Sequence, residues 1–144
     1  MRRWILWCAG LLWLGCAEEP DRLVSSTTAD DRFKVAMEAA DDWVRPGHKL
    51  PIKVRVESLV GPLDELWETE LKLMANNGSV SPSELRVLFD GAENAAYTVE
   101  DSVYERWVTF SAGTSDKQSQ GEVHALFLGQ HAALKIRITS LLDE

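Results

Sequence analysis

Leu50-Pro51-Ile52-Lys53-Val54-Arg55-Val56-Glu57 alternates apolar and polar side chains without a break. Successive residues of a strand point to opposite faces, so this stretch reads as a strand with one buried face. Pro51 has no N–H to donate, which places it near the strand's start or at an edge. The alternation returns in Leu134-Lys135-Ile136-Arg137-Ile138-Thr139. Leu50, Ile52, Val54, Val56, Leu134, Ile136 and Ile138 are therefore expected on one core. Between the two stretches, residues 70–75, 85–89, 95–99, 104–110 and 123–128 read as further short strands. Pro46-Gly47, Gly61-Pro62, Asn77-Gly78, Asp90-Gly91, Gly113 and Gly129 punctuate them as turns. Many short strands with turns at this spacing predict an all-β sandwich of about seven or eight strands.

Three segments fit a helix as well. Phe33, Ala36, Met37, Ala40, Trp43 and Val44 lie at helical spacing, as do Leu63, Leu66, Trp67, Leu71 and Met74. Ser81-Pro82-Ser83-Glu84 has the form of a capping box with proline at the first helical position. Strands are expected for most of these residues, with one helical turn near 62–67. A small α+β domain is the alternative fold.

At the other end of the chain, Met1-Arg2-Arg3 precedes an apolar run from Trp4 to Leu14. Two arginines before a short apolar run form the n-region and h-region of a secretory signal, and the run is too short to span a bilayer. Arg2-Arg3 lacks the flanking residues of a twin-arginine export signal. The run ends Leu12-Trp13-Leu14-Gly15-Cys16-Ala17. Gly15-Cys16 resembles the lipobox of bacterial lipoproteins, with Trp13 where leucine is usual. The resemblance implies a signal peptide over 1–15, acylation of Cys16 and anchoring to a membrane through that lipid. Glu18 stands where lipoproteins kept at the inner membrane commonly carry aspartate, which points to the outer membrane. Ordinary cleavage after Ala17 is the rival.

Cleavage before Cys16 leaves residues 16–144, one domain's worth. A chain of that size buries roughly two-thirds of its unfolded surface, enough to fold without metal or disulfide. It keeps one of the two cysteines, 13 basic residues and all 23 acidic ones, a formal charge of −10. So negative a surface repels phosphate backbones, and no nucleic-acid partner is expected. Residues 16–31 read as the lipidated cysteine and a flexible tether rich in Ser, Thr and Asp. The domain proper is expected over 32–144.

Its features resemble the bacterial immunoglobulin-like domains of invasin and intimin. Trp43-Val44-Arg45-Pro46-Gly47, followed by Ile52, Val54 and Val56, is similar to that family's opening strands. Gly61-Pro62-Leu63 falls at its next turn. Leu71, Leu73 and Ala75, then Asn76-Asn77-Gly78-Ser79-Val80-Ser81-Pro82, resemble its following strand and turn, and Gly91-Ala92 leads on to Tyr97 and Val99. The likeness covers about 43–99, and the chain after Glu100 is longer than the family pattern. It implies an immunoglobulin-like β-sandwich working as a spacer, stalk or adhesive module, with no catalytic residue to transfer.

No motif for chemistry emerges. His48, His124 and His131 do not fall at a helical metal spacing, and a copper site built on cysteine lacks its cysteine. The acidic pairs Asp30-Asp31, Asp41-Asp42, Asp64-Glu65 and Glu100-Asp101 have no EF-hand spacing. No nucleophile elbow or phosphate-binding loop is present. Neither a metal, a cofactor nor enzymatic activity is expected; a small envelope enzyme or metal-binding lipoprotein is the alternative. Trp107, beside Val108 and Phe110, is expected in the core. Trp67, among Glu65, Glu68 and Glu70, either packs simply against the core or is the candidate partner contact. The partner would be an envelope protein or glycan.

Overall fold

In the computed structural model, which describes residues 24–61, 67–89, 102–115 and 117–140, two five-stranded sheets face each other. The strands are β1 (Val24–Ala29), β2 (Phe33–Ala39), β3 (Trp43–Val44), β4 (Lys49–Ser58), β5 (Trp67–Asn76), β6 (Gly78–Ser81), β7 (Glu84–Phe89), β8 (Val103–Ala112), β9 (Ser119–Phe127) and β10 (Gln130–Ile138). The first sheet runs β1-β2-β4-β8-β6 and the second β3-β10-β9-β5-β7. All pairs are antiparallel except the short β3–β10 pair. The all-β sandwich expected from the alternation is the observed architecture, and no helix occurs among the described residues.

The two alternating stretches form β4 and β10, in opposite sheets. Leu50, Ile52, Val54, Val56, Leu134, Ile136 and Ile138 are all buried, none more than 5% exposed. Burying each such side chain contributes about 1.5–3 kcal/mol. Phe33, Val35, Met37, Ala39, Leu71, Leu73, Val87 and Phe127 fill the rest of the same core. Pro51 lies one residue beyond the last β2–β4 pair, Ala39↔Ile52, near the start of β4 as expected.

Several expectations need correction. The described residues hold ten strands, not seven or eight. Part of the segment read as tether, 16–31, is β1, so the sandwich already includes Val24–Ala29, ahead of Arg32. Polar Ser and Thr do not forbid an edge strand, and β-branched Thr suits one. The Ser26 hydroxyl accepts a bond from the Ala133 N–H of β10, closing one side of the sandwich. The first helical stripe is β2, where Phe33, Val35, Met37 and Ala39 point inward with a period of two. From Trp67 on, the second is β5. Ser81-Pro82-Ser83-Glu84 turns β6 into β7 instead of starting a helix, with a cis Ser81–Pro82 bond. The expected strand at 95–99, the turn at Asp90-Gly91 and residues 62–66 lie outside the described residues.

Two glycines make room for one large side chain. A Cβ on Gly121 would stand 2.7 Å from Phe110 Cζ, and one on Gly78 would stand 2.6 Å from Phe110 Cε2. The fully buried Phe110 ring occupies the space those positions leave open. The β9–β10 hairpin turns on Leu128-Gly129, both at positive φ (47° and 82°). That is the backbone twist favoured for a two-residue hairpin, and it sets the register of everything that follows.

Candidate functional site

The solvent face of the first sheet carries an unexpected residue. Val108, Phe110 and Ala112 of β8 point inward, so Trp107 must point outward. It is 63% exposed, against the expectation that it packs in the core. Adjacency to Val108 and Phe110 was misleading, because neighbours along a strand face opposite ways. Lys53 is its cross-strand partner, and the ammonium lies 5.3 Å from the indole centroid. A cation over an exposed aromatic face is worth about 0.5–1 kcal/mol. Two pairs along the ladder, Arg55 meets Glu105 at 3.4 Å. Beside them lies a shallow depression of about 230 Å³ bordered by Lys34, Glu38, Arg55 and Glu57.

Trp67 takes the opposite role. It is half-buried and packs against the core, stacked on Phe33 at 4.8 Å, tilted against Phe89 at 5.7 Å and edge-on to Phe127 at 6.1 Å. The candidate contact of the sequence reading thus belongs to an aromatic cluster that closes one end of the core. Next to that cluster, Asp30 Oδ1 accepts the N–H groups of Phe33 and Arg32, each at 2.7 Å. Those two bonds, the Phe33 one foremost, hold the Asp30 carboxyl below the usual carboxylate range. Asp42 of the next acidic pair meets Arg137 at 3.2 Å. The other two acidic pairs, and Cys16, lie outside the described residues.

The solvent face of the second sheet brings together two histidines that seven positions separate along the chain. The hairpin register pairs Leu126 with His131 and His124 with Ala133, leaving the two imidazoles on one diagonal of the same face. His124 Nδ1 and His131 Nε2 are 2.9 Å apart. The ring planes lie within 19° of each other with centroids 5.1 Å apart. A nitrogen contact that short across so wide a centroid separation needs rings displaced edge to edge, so it is a hydrogen bond between ring nitrogens. On its far side, His124 Nε2 meets Glu122 Oε2 at 3.3 Å and Asn76 Nδ2 at 3.2 Å. Met74, 53% exposed, is the direct cross-strand partner of His124. Met74, Asn76, His124, Leu126 and His131 line an open groove of about 590 Å³. His48 stands apart in a turn, its Nδ1 3.1 Å from the Pro46 carbonyl oxygen. Among the described residues, no three or more His, Cys, Asp or Glu side chains gather as a metal site.

No family model and no curated protein matches the chain. Among solved structures it is similar to a family 123 glycoside hydrolase from Clostridium perfringens, described for the details of glycolipid glycan hydrolysis. The identity is 11%, over 85% of this chain, at a TM-score of 0.31. The match spans only 28% of that enzyme's length. At that score the likeness bears on neither fold nor activity.

Proposed function

We propose that this protein is a membrane-anchored envelope lipoprotein whose single β-sandwich is a binding module, with Trp107 as its contact residue. The observation that carries the reading is a tryptophan 63% exposed on a strand face, with Lys53 over its ring. A side chain of this kind buries about 150–250 Å² when a partner covers it, and tryptophan is enriched among residues that dominate interfaces. The lipobox-like Gly15-Cys16 supplies the anchor, and likeness to bacterial immunoglobulin-like domains agrees with a surface module.

β1 begins eight residues after Cys16, a reach of at most about 29 Å. Ser25, Glu38, Lys53 and Trp107 form one row across four strands. At about 4.8 Å per strand, Trp107 lies about 14 Å across the sheet from Ser25, at the anchored end. On this reading the partner is an envelope protein or glycan close to the bilayer of the outer membrane.

The test keeps Trp107 and places a photo-crosslinking residue at Thr109, its neighbour on the same face. A membrane-associated partner should be captured in cells, and Trp107→Ala should reduce capture at least fivefold. Fractionation should find the wild-type chain with membranes, extractable by detergent but not by salt. Cys16→Ser should block acylation, leaving precursor or soluble protein. Capture unaffected by Trp107→Ala overturns the contact. A soluble wild-type chain beginning at Glu18 overturns the anchor.

A further inference from the structure

We propose that His124, His131 and Met74 form a binding site for a soft monovalent metal ion, Cu(I), on the solvent face of the second sheet. This goes beyond the binding-module reading and does not depend on it. The first support is the edge-to-edge histidine pair. Two neutral imidazoles 2.9 Å apart in this way aim a lone pair and an N–H at the same point. A metal ion takes the place of that proton, which the donating ring gives up to solvent while taking one on its other nitrogen, so both rings stay neutral. Held on the line between two nitrogens at about 2 Å from each, it needs them about 4 Å apart. The rings must open by about 1 Å, which His131, exposed beside the hairpin turn, has room to do. Linear or nearly linear coordination by two imidazoles suits a closed-shell monovalent ion, not a tetrahedral or octahedral one.

The second support is the far side of His124. Glu122 Oε2 lies 3.3 Å from Nε2 and Asn76 Nδ2 lies 3.2 Å from the same nitrogen, so the ring is held from behind with Nδ1 turned toward His131. A carboxylate that orients a histidine from behind is the usual companion of a metal ligand, and its charge favours a cation at the front.

The third support is Met74. As the direct cross-strand partner of His124 it starts within about 5.5 Å, Cβ to Cβ, and its three rotatable bonds let the thioether swing toward the pair. An exposed methionine otherwise gains little on a sheet face. Thioether sulfur selects Cu(I) over the harder divalent ions. Zinc, by contrast, wants four ligands, and among the described residues no group of three or more His, Cys, Asp or Glu could hold a metal ion. Two nitrogens and one sulfur are a full set for Cu(I). Leu126 walls the same groove.

The experiment uses the full chain in detergent, titrated without oxygen with Cu(I) against a competing chelator. Ag(I) serves as a redox-inert probe and Zn(II) as the hard comparison. One equivalent of Cu(I) or Ag(I) should disappear in His124→Ala and in His131→Ala. Cysteine binding is common to all variants and cancels. Met74→Leu should weaken binding at least tenfold, and Glu122→Gln about tenfold, the effect of losing an orienting partner. Ag(I) should shift the Met74 methyl resonance, assigned through Met74→Leu, and leave that of buried Met37 in place. Each variant is checked for a wild-type circular dichroism spectrum; the readout for any that fails passes to its partner histidine. Equal binding by Met74→Leu, Zn(II) as tight as Cu(I), or no equivalent lost in either histidine variant overturns the site.

Discussion

Trp67 and Trp107 sit in strands of the same length, each with one charged and one apolar neighbour, yet one closes the core and the other faces water. The difference is phase. Trp67 shares its parity with the buried Leu71 and Leu73, and Glu68, Glu70 and Lys72 take the other face. Trp107 shares its parity with Thr109 and Ser111, while Val108, Phe110 and Ala112 point inward. Composition around a residue says that it is in a strand. Only its phase relative to the apolar positions says which way it faces, and a slip of one residue inverts the answer.

The largest effects should fall on positions of the inward phase. Ile52→Ala and Ile136→Ala should each cost about 2–5 kcal/mol, read from denaturant midpoints, because each leaves a cavity in a filled core. Unchanged midpoints in both would break the two-phase account. Trp67→Ala should cost about 3 kcal/mol through the lost packing on Phe33, Phe89 and Phe127.

Gly121→Ala sharpens the same point from the other direction. Its position is inward and already filled by Phe110, so adding a methyl should cost about 1–3 kcal/mol. Trp107→Ala should change stability by less than about 1 kcal/mol, the worth of an exposed cation–π contact, while reducing partner capture at least fivefold. A loss like that of Trp67→Ala would show that Trp107 is packed after all.

The smallest effect concerns Asp30, which caps the Phe33 backbone beneath the Trp67 cluster. Its carboxyl is depressed in the folded chain, so the stability it adds is complete above the usual carboxylate range. That stability disappears as the pH falls through the lower folded value. The melting-temperature gap between wild type and Asp30→Ala should be flat at neutral pH and shrink on acidification. A gap independent of pH would show that the side chain acts uncharged.

Much of this fold was legible in the residues. Strict alternation over 50–57 and 134–139 located β4 and β10 because both strands bury one face and wet the other. β2 was ambiguous because Ala36, only 8% exposed on the outer side of its strand, adds an apolar residue that mimics a helical stripe. β1 was hidden because an edge strand of Ser and Thr reads as a linker; its strand character comes from pairing with β2 and from the Ser26–Ala133 bond. The contact tryptophan was legible in principle, since the phase of 108, 110 and 112 was there to read. The histidine pair was not, because a seven-residue separation becomes a 2.9 Å contact only through the register set by Leu128-Gly129.

The amino-acid order by itself determined that the chain forms strands, which residues share a face within each strand, and the strong negative charge. These follow from the two-residue period and from side-chain chemistry, both local. The tertiary structure alone decided which strands became neighbours, and so which outward residues met. Cross-strand register put Lys53 beside Trp107 and Met74 beside His124, and it let Phe110 fill the space over Gly78 and Gly121. Such contacts depend on long-range pairing and hairpin geometry, which no local window of sequence contains.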